Sequence, residues 1–206
     1  MTASMLFYFL CASVALTLSP GPDNIFVMTQ GITRGRKPAI IVALGMCSGV
    51  SVHTTMAAFG ISAIFFSSIV AFNVLKYAGA AYLLYLAYKT LRARSSVHLA
   101  PVEYLPSGAL FKRGFVMNVL NPKVAMFFLA FLPQFVTPGS EHIPLQMLLL
   151  GFVFMLQAVV VLSLIAYFSG GIGSFMLARP KVAKNFDWLT AGVFASLGLR
   201  LALAER

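Results

Sequence analysis

Six stretches of this 206-residue chain are almost wholly apolar, at roughly 4–29, 38–66, 71–90, 111–134, 145–168 and 186–203. About 20 apolar residues cross a bilayer as a helix, so each stretch predicts a membrane span. The second is longer than a span needs, which predicts a tilt or a terminal interfacial turn. The connections are short except 91–110, where Pro101 and Pro106 predict a flexible loop. The first and fourth stretches are interrupted, by Ser19-Pro20-Gly21-Pro22-Asp23-Asn24 and by Asn121-Pro122-Lys123. Proline lacks the N–H a helix interior needs and clashes with the preceding turn. An ionisable side chain in mid-membrane costs roughly 3 kcal/mol on insertion scales. Both penalties recur at matching places in the two halves. Leu18-Ser19-Pro20 aligns with Leu120-Asn121-Pro122, and an aliphatic or aromatic run follows each. The pattern predicts an all-α membrane protein of six helices, arranged as two inverted three-helix repeats, with helices one and four broken at the prolines.

Composition agrees. The chain is 60% hydrophobic and 10% charged, with a mean hydropathy of +0.90, against about 25% charged in a soluble domain. Much of its surface must face lipid. The length suits one membrane domain, 1–206, with repeat one at about 1–90, a cytoplasmic loop at about 91–110 and repeat two at about 111–206. Phe7 to Leu18 has no Lys or Arg before it and no Ala-x-Ala site after it, so it reads as a half-helix and not as a cleaved signal.

The net charge is +10, which in a soluble protein would suggest nucleic acid. Here eleven of the fifteen basic residues fall in or border the first, third and fifth connections, with no aromatic–basic interleaving on a soluble face. The positive-inside rule therefore makes those connections cytoplasmic and puts both termini outside. No nucleic-acid partner is expected. Cys11 and Cys47 fall within spans and read as packing residues; neither a metal nor a cofactor is expected.

A helix broken in mid-membrane exposes backbone groups that only protein or water can satisfy. Ser19 and Asn121 suit N-caps, and Pro20 and Pro122 suit first helical positions. Each second half-helix would then aim its N–H groups at a carboxylate. Asp23 offers a carboxylate for an ammonium group and Lys123 a cation for a carboxylate, which together fit a zwitterionic amino acid. The expected substrate site comprises Ser19, Pro20, Gly21, Pro22, Asp23, Asn24, Asn121, Pro122 and Lys123. Asp23 and Lys123 would equally suit a buried structural pair. Gly45, Gly49, His53 and Ala57 recur at i+4 and share a face that lets another helix come close. Asp23 and His53 are the candidates for proton coupling, though His53 would serve as well in a neutral interhelical hydrogen bond. Asn118 and Gln157 either line the pathway or hold helices together. Lys76 would snorkel from the outer end of span three.

Several further motifs accompany these: Gly31-x-x-x-Gly35-Arg36, Leu75-Lys76-Tyr77-x-Gly79-Ala80-x-Tyr82-Leu83, Phe111-x-x-Gly114-Phe115, Phe127-Phe128 and Pro133-Gln134-Phe135. In this order and spacing the chain resembles the LysE/RhtB superfamily of bacterial amino-acid exporters over nearly its whole length. The resemblance implies a multi-pass inner-membrane exporter, driven by the proton motive force, that moves amino acids or homoserine-like derivatives outward. Relatives sharing these motifs differ in substrate. The competing readings are a channel, or a membrane-embedded accessory subunit that is inert alone. An intramembrane enzyme is disfavoured, because His-Glu-x-x-His, Gly-x-Ser-x-Gly and paired aspartates are all missing. Small residues on apolar helix faces permit a homodimer.

Overall fold

The structure is a computed structural model that describes residues 3–19, 21–61, 69–92, 104–137, 140, 142–178 and 180–203. Among these residues there are eight helices and no strands. In chain order they are α1 (Ala3–Leu18), α2 (Pro22–Arg34), α3 (Arg36–Thr55), α4 (Ile69–Arg92), α5 (Ser107–Val119), α6 (Pro122–Met126), α7 (Ile143–Ala178) and α8 (Pro180–Leu203). α3 runs on through a π-helical turn, Met56–Ile61; α6 runs on through a π turn, Phe127–Phe131, and a 3-10 turn, Leu132–Phe135.

The proline motifs break their helices where expected. α1 and α2 meet at 59°, and α5 meets the α6 segment at 46°. Each pair is long and apolar enough to cross a bilayer as one bent span. Two unbroken helices also qualify, Arg36–Gly60 with a mean hydropathy of 1.6 and Ile143–Ser169 with 2.7. α4 and α8, at 24 residues each, occupy the positions of the third and sixth expected spans. α7 carries a row of exposed apolar side chains, Leu145, Leu149, Phe152, Leu156, Val160 and Leu164, as a lipid-facing helix would.

One expectation is corrected. The fifth connection is largely helix: α7 has 36 residues, about 54 Å at 1.5 Å per residue, and α8 begins at Pro180. Proline tolerates a first helical position, so a basic stretch that reads as loop can open a helix. Lys76 is buried and holds its ammonium 4.6 Å from the ring centre of the exposed Tyr77. Residues 62–66 of the second expected span and 93–103 of the long loop lie outside the described residues.

Glycines set the closest helix contacts. α3 packs most extensively on α5. A Cβ at Gly45 would strike the Phe111 carbonyl, one at Gly114 the Val42 carbonyl, and one at Gly49 would lie 2.9 Å from the Asn118 side chain. The close-approach face expected on span two is therefore present. α4 pairs with α8, and α7 packs on α1, α2 and α3. An aromatic cluster of Phe9, Phe127, Phe128, Phe131, Phe135 and Phe154 fills the core beside the α6 turns.

Candidate functional site

At the first break the α1 ladder runs as far as Ser19, whose N–H still bonds the Ala15 carbonyl at 2.9 Å. Beyond it, the Leu16 carbonyl would need a donor from Pro20, which has no N–H. Gly21 is extended, with φ −170° and ψ 173°, because a residue before proline is pushed out of the helical region. It is Gly21, then, that caps α2, and Pro22 takes the first helical position. This corrects the expectation of a cap at Ser19, whose Oγ is buried without a hydrogen-bond partner. Pro20 lies outside the described residues, and Pro22 is exposed.

The open carbonyls of α1 find donors elsewhere. Lys123 Nζ donates to Leu16 O at 3.2 Å and to Ser19 O at 3.1 Å. Asn24 Nδ2 donates to Thr17 O at 2.8 Å and to Ser19 O at 3.0 Å. A charged donor and a side-chain amide thus stand in for the missing turn of helix.

The second break is capped as the sequence predicts. Asn121 is extended, and its Oδ1 accepts from the Lys123 N–H at 2.9 Å. Its Nδ2 donates to Asp23 Oδ2 in a short hydrogen bond. Pro122 deprives the Asn118 carbonyl of its helical donor, and two groups replace it. The Asn121 N–H bonds Asn118 O at 2.9 Å, and His53 Nε2 lies 3.0 Å from the same oxygen. A carbonyl only accepts, so Nε2 is the protonated nitrogen.

Between the two breaks lies a cavity of about 30 Å³, room for roughly two waters. Its polar wall is Thr17, Asp23, Asn24, Asn118 and Lys123. Its apolar wall includes Met46, Cys47 and Val50 from α3, and Phe154, Ala158 and Leu162 from α7. Asp23 Oδ1 and Asn118 Oδ1 are buried acceptors without a hydrogen bond. Asp23 and Lys123 are not hydrogen-bonded to each other: the carboxylate is held by Asn121 and the ammonium by the α1 carbonyls. Among the described residues no cluster of His, Cys, Asp or Glu could hold a metal.

Of the expected site residues, Asp23, Asn24, Asn118 and Lys123 line this cavity. Asn121 abuts it through Asp23, Ser19 through Asn24 and Lys123. A Cβ on Gly21 would sit 3.2 Å from Lys123 Nζ. His53 and Gln157 lie outside the wall. Gln157 reaches it only by donating to Thr17 Oγ1 at 2.9 Å. Sequence reasoning missed Thr17 and the apolar wall. Thr17 lies two residues before the motif. The α7 wall residues, 154, 158 and 162, have i+4 spacing that flags one face without saying that it is a binding face.

Two bent helices meeting over a buried, charged cavity inside an apolar helical shell define a multi-pass membrane transporter. The chain belongs to the LysE type translocator family, which matches residues 14–205. It is 33% identical to a homoserine/homoserine lactone efflux protein of Salmonella typhimurium, over 100% of this chain and 99% of that one. It is 29% identical to a leucine efflux protein of Salmonella choleraesuis, over 96% of this chain and 94% of the relative. No solved structure matches the chain significantly. The family is one of translocators and not of enzymes.

Proposed function

We propose that the protein is a proton-coupled secondary exporter of amino acids or close derivatives across the bacterial inner membrane. The observation that carries this reading is the meeting of both helix breaks at one buried cavity, where Asp23 and Lys123 face the same space without bonding to each other. Efflux proteins for homoserine, its lactone and leucine are among its relatives, and those substrates share a small α-amino group or its derivative.

The eight helices would make six spans in one membrane domain: α1 with α2, α3, α4, then α5 with α6, α7 and α8. Packing supports an inverted repeat of about 1–90 against about 111–206. Exchanging the first three spans with the last three maps the α3–α7 and α4–α8 pairs onto themselves. The same exchange turns the α3–α5 pair into α7 against α1 and α2. The basic connections would be cytoplasmic and both termini outside.

The mechanism follows from what is satisfied and what is not. Asp23 Oδ1 is an unfilled acceptor for the substrate ammonium or for a proton, and the two compete for it. Lys123 uses two of its three N–H donors on α1, leaving one for a carboxylate. The cavity is too small for an amino acid, so on this reading the helices part before loading. Proton binding at Asp23 from the outside would release substrate there. Substrate binding from the cytoplasm would displace that proton. His53 is the second candidate for coupling, but its proton already serves the Asn118 carbonyl.

The test is uptake of a mixed amino-acid pool by inside-out vesicles carrying the protein under an imposed pH gradient, read by mass spectrometry. Wild type should enrich particular amino acids until the gradient is collapsed. Asp23→Asn can still accept from Asn121 but loses the charge. A charge-assisted hydrogen bond is worth about 1.5–3 kcal/mol, so enrichment should fall on the order of 10–100-fold. Equal enrichment in both proteins would remove Asp23 from the mechanism. Flux that neither saturates nor shows counterflow would indicate a channel.

A further inference from the structure

The cavity has two chemically different sides, and on the export reading above each has its own part of the substrate to hold. The polar side has two buried oxygens without donors, Asp23 Oδ1 and Asn118 Oδ1, and an ammonium group, Lys123 Nζ. These complement the α-ammonium and the α-carboxylate of an amino acid. Besides Leu16 and Val124, two helices supply the apolar wall. Met46, Cys47 and Val50 face in from α3, and Phe154, Ala158 and Leu162 form a straight i+4 row on α7. None of these six carries a formal charge or a strong hydrogen-bonding group.

We propose that this α3–α7 wall is the side-chain subsite, and that Cys47 and Ala158, the two smallest of those six residues, set which side chains are exported. Among the described residues, the only charged groups lining the cavity, Asp23 and Lys123, are both engaged by the α-substituents. A lysine- or glutamate-like side chain would then enter an apolar wall with no counter-charge, which a low-dielectric site rejects strongly. Uncharged side chains are accepted, and their size limit depends on how far the two walls stand apart. Phe154 is less suited to adjustment, because its ring packs on Phe127 and Phe128 at 5.5 and 5.0 Å between centres. Cys47 and Ala158 are small residues from the two helices of that wall, where added volume shrinks the cavity.

The experiment is pH-gradient-driven uptake by proteoliposomes of the purified full chain. Glycine, alanine, valine, leucine, phenylalanine, lysine and glutamate would each be offered, to wild type, Ala158→Leu and Cys47→Val. Circular dichroism and a monodisperse gel-filtration peak would confirm that each variant is folded. Wild type should move uncharged amino acids and leave lysine and glutamate behind. Because one methylene in an apolar pocket discriminates by about 10–200-fold, both variants should lower leucine and phenylalanine uptake at least about 10-fold relative to alanine. If Ala158→Leu fails to fold, Cys47→Val carries the test from the other helix of the wall. Uptake of all substrates falling by one common factor in the folded variants would overturn the subsite, while wild-type export still stood. Lysine or glutamate moved as well as leucine would also overturn it. Wild type moving none of the seven would overturn this inference, while the export reading would still stand for derivatives such as homoserine.

Discussion

The two helix breaks put opposite charges at equivalent positions and solve the same backbone problem differently. Asp23 and Lys123 each follow the proline that opens a half-helix, so both stand at the second helical position. An aspartate there suits the partial positive charge of the first turn; a lysine opposes it. Asp23 is therefore stabilised by its own helix. Lys123 is not, and its ammonium turns to the carbonyl end of α1, where a cation is favoured. Each proline also strips the helical donor from the carbonyl four residues earlier. At the first break the proline concerned is Pro20, and Lys123 bonds the Leu16 carbonyl that it frees; at the second it is Pro122, and His53 bonds the carbonyl of Asn118. The first rescuer lines the cavity and the second does not. A substrate carboxylate drawing on Lys123 would loosen the end of α1, whereas nothing in the cavity competes directly for His53. On the proposed export reading, the first break would respond to a ligand and the second would hold still.

Removing Lys123 breaks this arrangement most severely. Lys123→Met preserves length but leaves the Leu16 carbonyl without its side-chain donor and Asp23 without a neighbouring cation. An orphaned buried group costs about 1–3 kcal/mol, and the remaining uncompensated buried charge about 3–5 kcal/mol. The protein should lose its export activity and melt earlier in detergent, as read by a thermal-shift assay. Unchanged melting would mean that α1 does not depend on the lysine.

Asn121 separates capping from contact between the two breaks. It caps α6 with its oxygen and holds Asp23 with its amide. Asn121→Ser keeps a cap but is too short to reach Asp23. Asn121→Ala loses both. The alanine should cost about 1 kcal/mol of stability beyond the serine, the worth of an N-cap. Both should impair uptake alike, since both free Asp23 Oδ2. Serine transporting like wild type would show that the bond to Asp23 is dispensable.

How much of this was legible in the sequence depends on what kind of signal each part leaves. Prolines and charges inside apolar runs are improbable enough to mark both breaks, and Gly45, Gly49 and Gly114 mark the α3–α5 approach through spacing. The cap at Asn121 was readable because Asn-Pro allows one arrangement. Ser19-Pro20-Gly21-Pro22 allows two, since both prolines suit a first helical position; the extended Gly21 decides between them. The bond from Lys123 to α1 joins residues more than a hundred positions apart, and no local pattern encodes it. The apolar wall was hidden for another reason. In a membrane protein, Met46, Val50, Phe154 and Leu162 are the same residue types that face lipid, so periodicity does not tell a cavity from the bilayer.

The His53 contact tests the quieter break and should give the smallest effect. The Asn118 carbonyl has a second donor in the Asn121 N–H, so losing the imidazole does not orphan it. His53→Leu keeps a comparable apolar volume beside Phe128, whose ring centre lies 5.9 Å from that of His53. The cost should be that of one ordinary hydrogen bond, about 0.5–1.5 kcal/mol of stability. Uptake should fall less than about 10-fold and still collapse with the pH gradient, because Asp23 keeps its place in the cavity wall. The informative quantity is that gradient dependence and not the rate. Uptake that persists in His53→Leu but no longer follows the gradient would make His53 the coupling group, and the second break would then be no quieter than the first.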